Sequence, residues 1–495
     1  MLFRSDSDSF LDYRWALCGK RIRTFLWRLG GCLMLNLIGH RALVAGAGTS
    51  GLAMARALRV IGAKVLVVND ATIPESSLKV LESLNIEFYL TADISLQNHT
   101  FDAVYASQGW KLEHPLFVAA KLQGIPVIGE VDLAWRINIS KPNPSLWFGI
   151  TGTNGKTTTT EMLNSIFLAA GMNSVACGNV GFSLIDAVMD KSNYTHLAVE
   201  LASFQTTRIR EAQFWGSTLL NLAEDHLDWH KDFTDYAASK FNLFNYSKYS
   251  LFNADDEKII SFADKIDDLK SFTLNTPRKG QLGVVEDLLV DRAFIPNSEA
   301  EAIEIATLKD LNNAAPHTVS NALAAGGVAR SVGISAESIA AGLRSFEPGL
   351  HRISVVMERD GVTWINDSKA TNPHAAGAAL KSFQRVIWIA GGLAKGATMD
   401  DLVMMNRDRI RVALLIGQDR ELIASSLDKY APETIIERID GLTGKDAMHN
   451  AVNRAKQLCE AGDVVLLAPA CASMDQFENY AERGQIFTEL VLRLG

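Results

Sequence analysis

Short β-branched apolar runs recur along this chain, each followed by a glycine turn and then by apolar positions at helical spacing. Ala42 to Ala45 leads into Gly46-Ala47-Gly48-Thr49-Ser50-Gly51, and Leu52 to Ile61 continues at helical spacing. Lys64 to Val68 is a second buried run that ends on Asn69-Asp70. Leu146 to Ile150 restarts the pattern, Thr151 to Thr157 is its turn, and a helix is predicted from about Lys156 to Ala170. Further strands are predicted at 196–200, 218–221, 362–365, 386–390, 412–416 and 464–467, with a helix over 320–332. Strands alternating with helices imply an α/β protein built on parallel, doubly wound sheets.

A chain of 495 residues exceeds one ordinary core; at roughly 150 residues per domain it holds about three. The turn-rich Lys141-Pro142-Asn143-Pro144-Ser145 and the run Phe346-Glu347-Pro348-Gly349 mark the breaks. The predicted domains are a Rossmann-like 38–142, a central P-loop ATPase-like 143–346 and a Rossmann-like 347–495. Residues 1–37 stand outside as an N-terminal extension, a candidate for disorder. Its apolar stretch from Phe25 to Ile38 is shorter than a bilayer span and contains Arg28, so no membrane association is expected.

Charge then narrows the function classes. A net charge of −8 with interspersed signs argues against a nucleic-acid partner. The five cysteines, at 18, 32, 177, 459 and 471, form no Cys-x-x-Cys pair, which fits reduced thiols in a cytoplasmic protein.

The turn Thr151-Gly152-Thr153-Asn154-Gly155-Lys156-Thr157 is the strongest chemical signal. Gly152 and Gly155 let backbone N–H groups converge on phosphate oxygens, Lys156 supplies a point charge, and the Thr157 hydroxyl suits Mg²⁺. The turn has the shorter Gly-x-x-Gly-Lys-Thr form, because position 150 is Ile. Gly46, Gly48 and Gly51, with Asp70 ending the next strand, match a dinucleotide fingerprint and keep NAD(P) open as a ligand. Glu200 ends one predicted strand, the Asp225-His226 pair follows another, and both are candidate Mg²⁺ ligands. Polar loops after three late strands, at 366–372, 391–396 and 469–473, suggest a binding face.

These residues carry a resemblance to a known family. The phosphate loop, Glu200-Leu201-Ala202-Ser203-Phe204-Gln205, Glu224-Asp225-His226-Leu227-Asp228 and Asn366-Asp367-Ser368-Lys369-Ala370-Thr371-Asn372 together resemble the Mur ligases over roughly residues 38–495. The run from Ala470 to Phe477 is most similar to the D-glutamate-adding branch. The resemblance implies an ATP-dependent amide ligase of cytoplasmic peptidoglycan precursor synthesis. It would join D-glutamate to UDP-N-acetylmuramoyl-L-alanine through an acyl phosphate formed from ATP, acting as a monomer with two Mg²⁺ ions.

Site roles follow from the same resemblance. Thr151, Gly152, Thr153, Asn154, Gly155, Lys156 and Thr157, with Asn321, Arg352, Asp367 and Lys369, would bind ATP. Thr157, Glu200, His226 and Lys240 would serve the metals, with Lys240 as a carbamate; Lys156, His226 and Lys240 would be catalytic. Gly48, Thr49, Ser50, Gly51, Asp70 and Asn179 would hold the uridine substrate. Thr371, Lys395, Ser473, Met474 and Tyr480 would hold D-glutamate.

The chain departs from the family pattern at several positions. Gln108 stands where proline is usual, Ala202 and Thr318 where serine and asparagine are usual, Ser354 where glutamate is common, and Tyr480 where phenylalanine is expected. The proline usual before His351-Arg352 is also missing. Two other readings stay open at this point: an NAD(P)-dependent oxidoreductase, and a catalytically silent UDP-sugar-binding protein.

Overall fold

A computed structural model describes residues 37–96, 100–263, 269–296 and 301–494. The apolar stretch before residue 37 therefore lies outside the described residues. No described helix is long and apolar enough to cross a membrane.

Three parallel-dominated sheets carry the chain. The first has five parallel strands in the order Glu87–Leu90, Lys64–Asn69, Arg41–Ala45, Ala103–Ala106, Val127–Gly129. Its order reverses beside Arg41–Ala45, so the crevice past that strand lies where the Gly46 turn meets the loop at Ser107. A Cβ on Gly46, whose φ is +107°, would collide with the Ser107 hydroxyl. Only glycine lets these two loops close on each other there.

The second sheet has nine strands, and Leu146–Thr151 is the third from one edge, between Phe214–Leu219 and His196–Glu200. Every residue of Leu146–Thr151 is buried, as expected for a strand covered on both faces. Ile150 pairs with Glu200, and Thr151 pairs with Leu219, so three chain segments leave the sheet side by side at the phosphate loop. The strand predicted at 218–221 instead spans Phe214–Leu219. Its bulky opening residues Phe214 and Trp215 are buried, and Leu220 and Asn221 have already left the ladder.

The third sheet has six strands, ordered Ser354–Arg359, Val362–Asn366, Val464–Leu467, Val386–Gly391, Ile410–Ile416, Ile435–Arg438. All its pairings are parallel except the first. Three adjacent strands therefore deliver the loops after Asn366, Leu467 and Gly391 to one sheet end.

By contact, the chain forms two compact units. One runs through Asn221 and resumes at Ala237–Phe346; the other joins Leu222–Tyr236 to residues from Glu347 onward. Within the first unit, the first two sheets share one hydrophobic core, where Trp147 packs edge-on against Trp135 at 5.1 Å and Phe214 at 5.8 Å. Polar contacts reinforce it. Asp132 accepts from the backbone N–H groups of Arg210, Glu211 and Ala212, and Arg136 pairs with Glu211.

Candidate active site

The helix Lys156–Ala169 begins directly after the Thr151–Gly155 turn, with Gly155 at its N-cap and no side-chain capping bond. First-turn N–H groups of such a helix are the natural seat of a phosphate. Gly152 (φ +156°) and Gly155 (φ +81°) shape the cradle, and a Cβ on Gly155 would sit 2.5 Å from Asn321 Oδ1. Asn321 thus lies against the loop, as a buried residue of the helix Pro316–Ser331. Asn221 braces the loop from the other side: its Oδ1 accepts from Asn154 N–H at 2.8 Å and its amide donates to the Asn154 carbonyl at 3.0 Å.

Two lysines converge on the same carbonyl. Lys156 Nζ donates to Gly152 O at 2.9 Å and Thr153 O at 2.7 Å. Lys240, near the end of helix Phe233–Phe241 and buried, donates to Gly152 O at 2.8 Å. Thr157 is half-buried one residue beyond Lys156.

Glu200 ends the strand next to the loop strand and is 2% exposed. Its Oε1 accepts from Asn179 Nδ2 at 3.0 Å, while its buried Oε2 has no hydrogen-bond partner among the described residues. A buried carboxylate oxygen left in that state suits a cation. Among the described residues no three His, Cys, Asp or Glu side chains form a ready cage. That composition fits Mg²⁺, which keeps waters and substrate phosphates in its shell, better than a closed zinc site.

Sequence reasoning missed an acid behind this segment. Glu130, buried at the first turn of helix Glu130–Ile139, accepts from Ser50 Oγ at 2.7 Å and Gln205 Nε2 at 3.3 Å. Burial pushes its pKa up. Gln205 Oε1 in turn accepts from Ala202 N–H at 3.0 Å. Ser50, expected to face substrate, therefore spends its hydroxyl on Glu130. At position 202 the capping bond uses the backbone N–H, so alanine serves there.

In the first sheet's crevice, Gly48 and Thr49 are exposed at the start of helix Thr49–Ile61, which has no side-chain capping bond. Gly51 is buried, and a Cβ there would strike the Gly46 carbonyl. Asp70 is engaged by His114, Nε2 to Oδ2 at 3.1 Å. The tautomer follows from His114 Nδ1 accepting Leu116 N–H at 3.2 Å, which leaves the proton on Nε2 to donate to Asp70. Trp110 packs on the His114 ring at 4.4 Å.

The second unit holds the remaining candidates. Asp225 Oδ1 accepts from His226 N–H at 2.9 Å, and its Oδ2 lies 3.7 Å from His226 Nε2; His226 itself has φ +55°. Glu200 belongs to the first unit and His226 to the second. Asp367 is buried, accepts from Ile353 N–H at 3.3 Å, and has its pKa pushed up to about 7 by burial, against hydrogen bonding and the Arg352 charge. Lys369 Nζ sits 3.8 Å over the Tyr480 ring, a cation–π contact that tyrosine supplies as well as phenylalanine.

The three loops of this unit are stitched together. Leu393 and Ala472 exchange backbone hydrogen bonds at 2.9 Å each way, and Ala470 N–H donates to Ala370 O at 2.9 Å. Lys395 follows in a left-handed turn (φ +53°), with Asp419 Oδ2 accepting the preceding Ala394 N–H at 2.8 Å. Thr371 is half-buried, Ser473 buried and Met474 exposed.

Known proteins resemble this chain over most of its length. Residues 150–329 match the Mur ligase middle domain, and residues 351–471 match the Mur ligase, glutamate ligase domain. The chain is 45% identical over 470 residues to the UDP-N-acetylmuramoylalanine--D-glutamate ligase of Streptomyces avermitilis, covering 93% of this chain and 100% of that protein. It is 43% identical to the enzyme of the same name from Thermobifida fusca, covering 93% and 100%. Among solved structures, a pseudomurein peptide ligase type C from Methanothermus fervidus matches with a TM-score of 0.56 at 18% identity, covering 92% of this chain and 100% of the other. A UDP-N-acetylmuramate-alanine ligase from Thermotoga maritima matches with 0.55 at 16% over the same shares; at these identities the likeness speaks to the fold. The full-length relatives and the two domain matches together place this chain in the Mur ligase family.

Proposed function

We propose that this chain is the ATP-dependent ligase that joins D-glutamate to UDP-N-acetylmuramoyl-L-alanine in peptidoglycan precursor synthesis. The similarity over nearly the whole chain to ligases of that name supports the substrates. The observation that carries the chemistry is the phosphate loop beside Glu200, whose buried Oε2 lacks a partner among the described residues.

In this reading the substrate carboxylate attacks the γ-phosphorus of ATP, ADP leaves, and an acyl phosphate forms. The D-glutamate nitrogen then attacks the carbonyl carbon, loses a proton, and inorganic phosphate departs. Phosphoryl transfer needs positioning and charge stabilisation more than covalent help. Residues 151–157 cradle the phosphates, Asn221 and Asn321 hold that cradle in shape, and Lys156 swings from the loop carbonyls to a phosphate oxygen. Thr157 and Glu200 would hold Mg²⁺, which supplies charge neutralisation for the transferring group, and His226 is a proposed metal ligand on the family resemblance alone. Gly48 to Gly51 seat the diphosphate of the uridine substrate, with Asp70 and Asn179 as further contacts. Arg352, Asp367 and Lys369 serve the nucleotide; Thr371, Lys395, Ser473, Met474 and Tyr480 serve D-glutamate, Lys395 pairing with a carboxylate.

Lys240 takes the role of a carbamate. The Lys240 ammonium first gives up a proton; the neutral amine then forms an N–C bond with CO₂ and releases a second proton, leaving an anionic oxygen ligand for a second ion. The reading places the enzyme in the cytoplasm as a monomer.

The test is phosphate release from ATP with UDP-N-acetylmuramoyl-L-alanine and a panel of D- and L-amino acids. Release that depends on D-glutamate is expected; release with a different amino acid, or none, rejects the assignment. Lys240→Ala is expected to lose most turnover and to regain part of it with added short carboxylic acids. Full turnover without rescue refutes the carbamate.

A further inference from the structure

Arg483 is 0% exposed, on the helix Tyr480–Leu492 that packs behind the stitched loops of the second unit. It forms no ion pair with any described residue; the Asp475 charge acts on it only at longer range. Burial pulls its pKa down to about 10. A buried charge without a counter-ion is costly, and an apolar side chain of similar length would fill the space without that cost. The charge therefore calls for a task.

Its hydrogen bonds supply one. Arg483 Nε donates to Ser368 Oγ at 3.0 Å, Nη2 to Ser368 O at 2.9 Å, and Nη1 to Cys471 O at 3.2 Å. Ser368 Oγ in turn donates a hydrogen bond to Tyr480 O at 2.8 Å. Ser368 lies between Asp367 and Lys369, and Cys471 two residues before Ser473. The rigid guanidinium fork thus fastens the loop after strand Val362–Asn366 to the loop after strand Val464–Leu467. The second loop needs fastening, because Ala470 is held at φ +59°, where a side chain is strained. Through the Ala472–Leu393 pairing the restraint continues toward Lys395.

We propose that Arg483 is a positioning residue that sets the nucleotide loop and the amino-acid loop in mutual register. This rests on the function proposed above. A lysine keeps the charge but has no fork, so it cannot reach both loops in one plane, and a methionine keeps the bulk alone.

The test compares wild type, Arg483→Lys, Arg483→Met and Ser368→Ala in steady-state assays that vary each substrate in turn, with ATP titrated by calorimetry. Loss of charge-assisted hydrogen bonds should raise the KM for both ATP and D-glutamate roughly tenfold or more in the two Arg483 variants. The KM for UDP-N-acetylmuramoyl-L-alanine should stay within about twofold. Ser368→Ala, which removes one acceptor, should shift the same pair by about threefold and covers the case in which Arg483→Met fails to fold. Unchanged KM values, or equal rises for all three substrates, overturn the proposal by leaving a generic packing role. A wild type without D-glutamate-dependent phosphate release rejects the proposed function instead; the calorimetric ATP affinity, expected about tenfold weaker in Arg483→Lys, still decides the role of Arg483.

Discussion

Replacing Asp367 by Asn isolates the cost of one buried acid. Asp367 is 8% exposed, and burial raises its pKa from 3.8 to about 7 in the folded chain. Below pH 3.8 the acid is protonated in both folded and unfolded chains, and its contribution to stability is fully present. As pH rises the unfolded chain ionises first, so stability falls steadily and is fully lost once pH passes about 7. At 1.36 kcal/mol per pKa unit, the loss over the whole window is at most about 4 kcal/mol, with about 2 kcal/mol of it between pH 5 and 7. Asn cannot ionise and escapes this loss. Urea denaturation of nucleotide-free wild type and Asp367→Asn, at constant ionic strength from pH 5 to 8, should show the variant gaining relative stability up to pH 7 and then levelling. A stability difference that is flat with pH, or that shrinks as pH rises, refutes the reasoning.

Three further outcomes follow from the geometry. Gly155→Ala places a methyl 2.5 Å from Asn321 Oδ1 at φ +81°, so the KM for ATP should rise at least roughly tenfold, and Asn321→Gly in the same chain should restore part of it. Glu130→Ala strands the Ser50 hydroxyl and the Gln205 amide and should cost about 1–3 kcal/mol in denaturation, whereas Glu130→Gln keeps an acceptor and should cost less. Burial raises the Cys471 thiol to about 12 and raises Cys177 as well, so mass-spectrometric mapping of alkylation at pH 8 should find Cys459 modified before either.

The strands and the phosphate loop were legible because each depends on a few consecutive residues. An apolar run such as 464–467 can hardly be read otherwise, and glycines with Lys-Thr announce a phosphate turn. Strand 214–219 was misplaced because Gly216, Ser217 and Thr218 dilute the apolar run and the polar residues are buried by tertiary packing. The braces were illegible for a different reason. Asn221 meets Asn154 across 67 residues, Glu130 meets Gln205 across 75, and Arg483 meets Ser368 across 115. Nothing near any of these in the chain signals its partner. Asp70 shows the limit of a motif: its position at a strand end was read correctly, but its bond to His114 depends on the His114 tautomer, which only the fold fixes.

The indole of Trp147, wedged between Trp135 and Phe214, also bears on how this protein can be dissected. Cutting the chain at the proline-rich turn near 142 would look natural from its composition, yet it would bare Trp135 on one fragment and Trp147 on the other, with much of their surroundings. Such pieces should be sticky and hard to express apart, and recombination at that seam would succeed only when both sides of the wedge travel together.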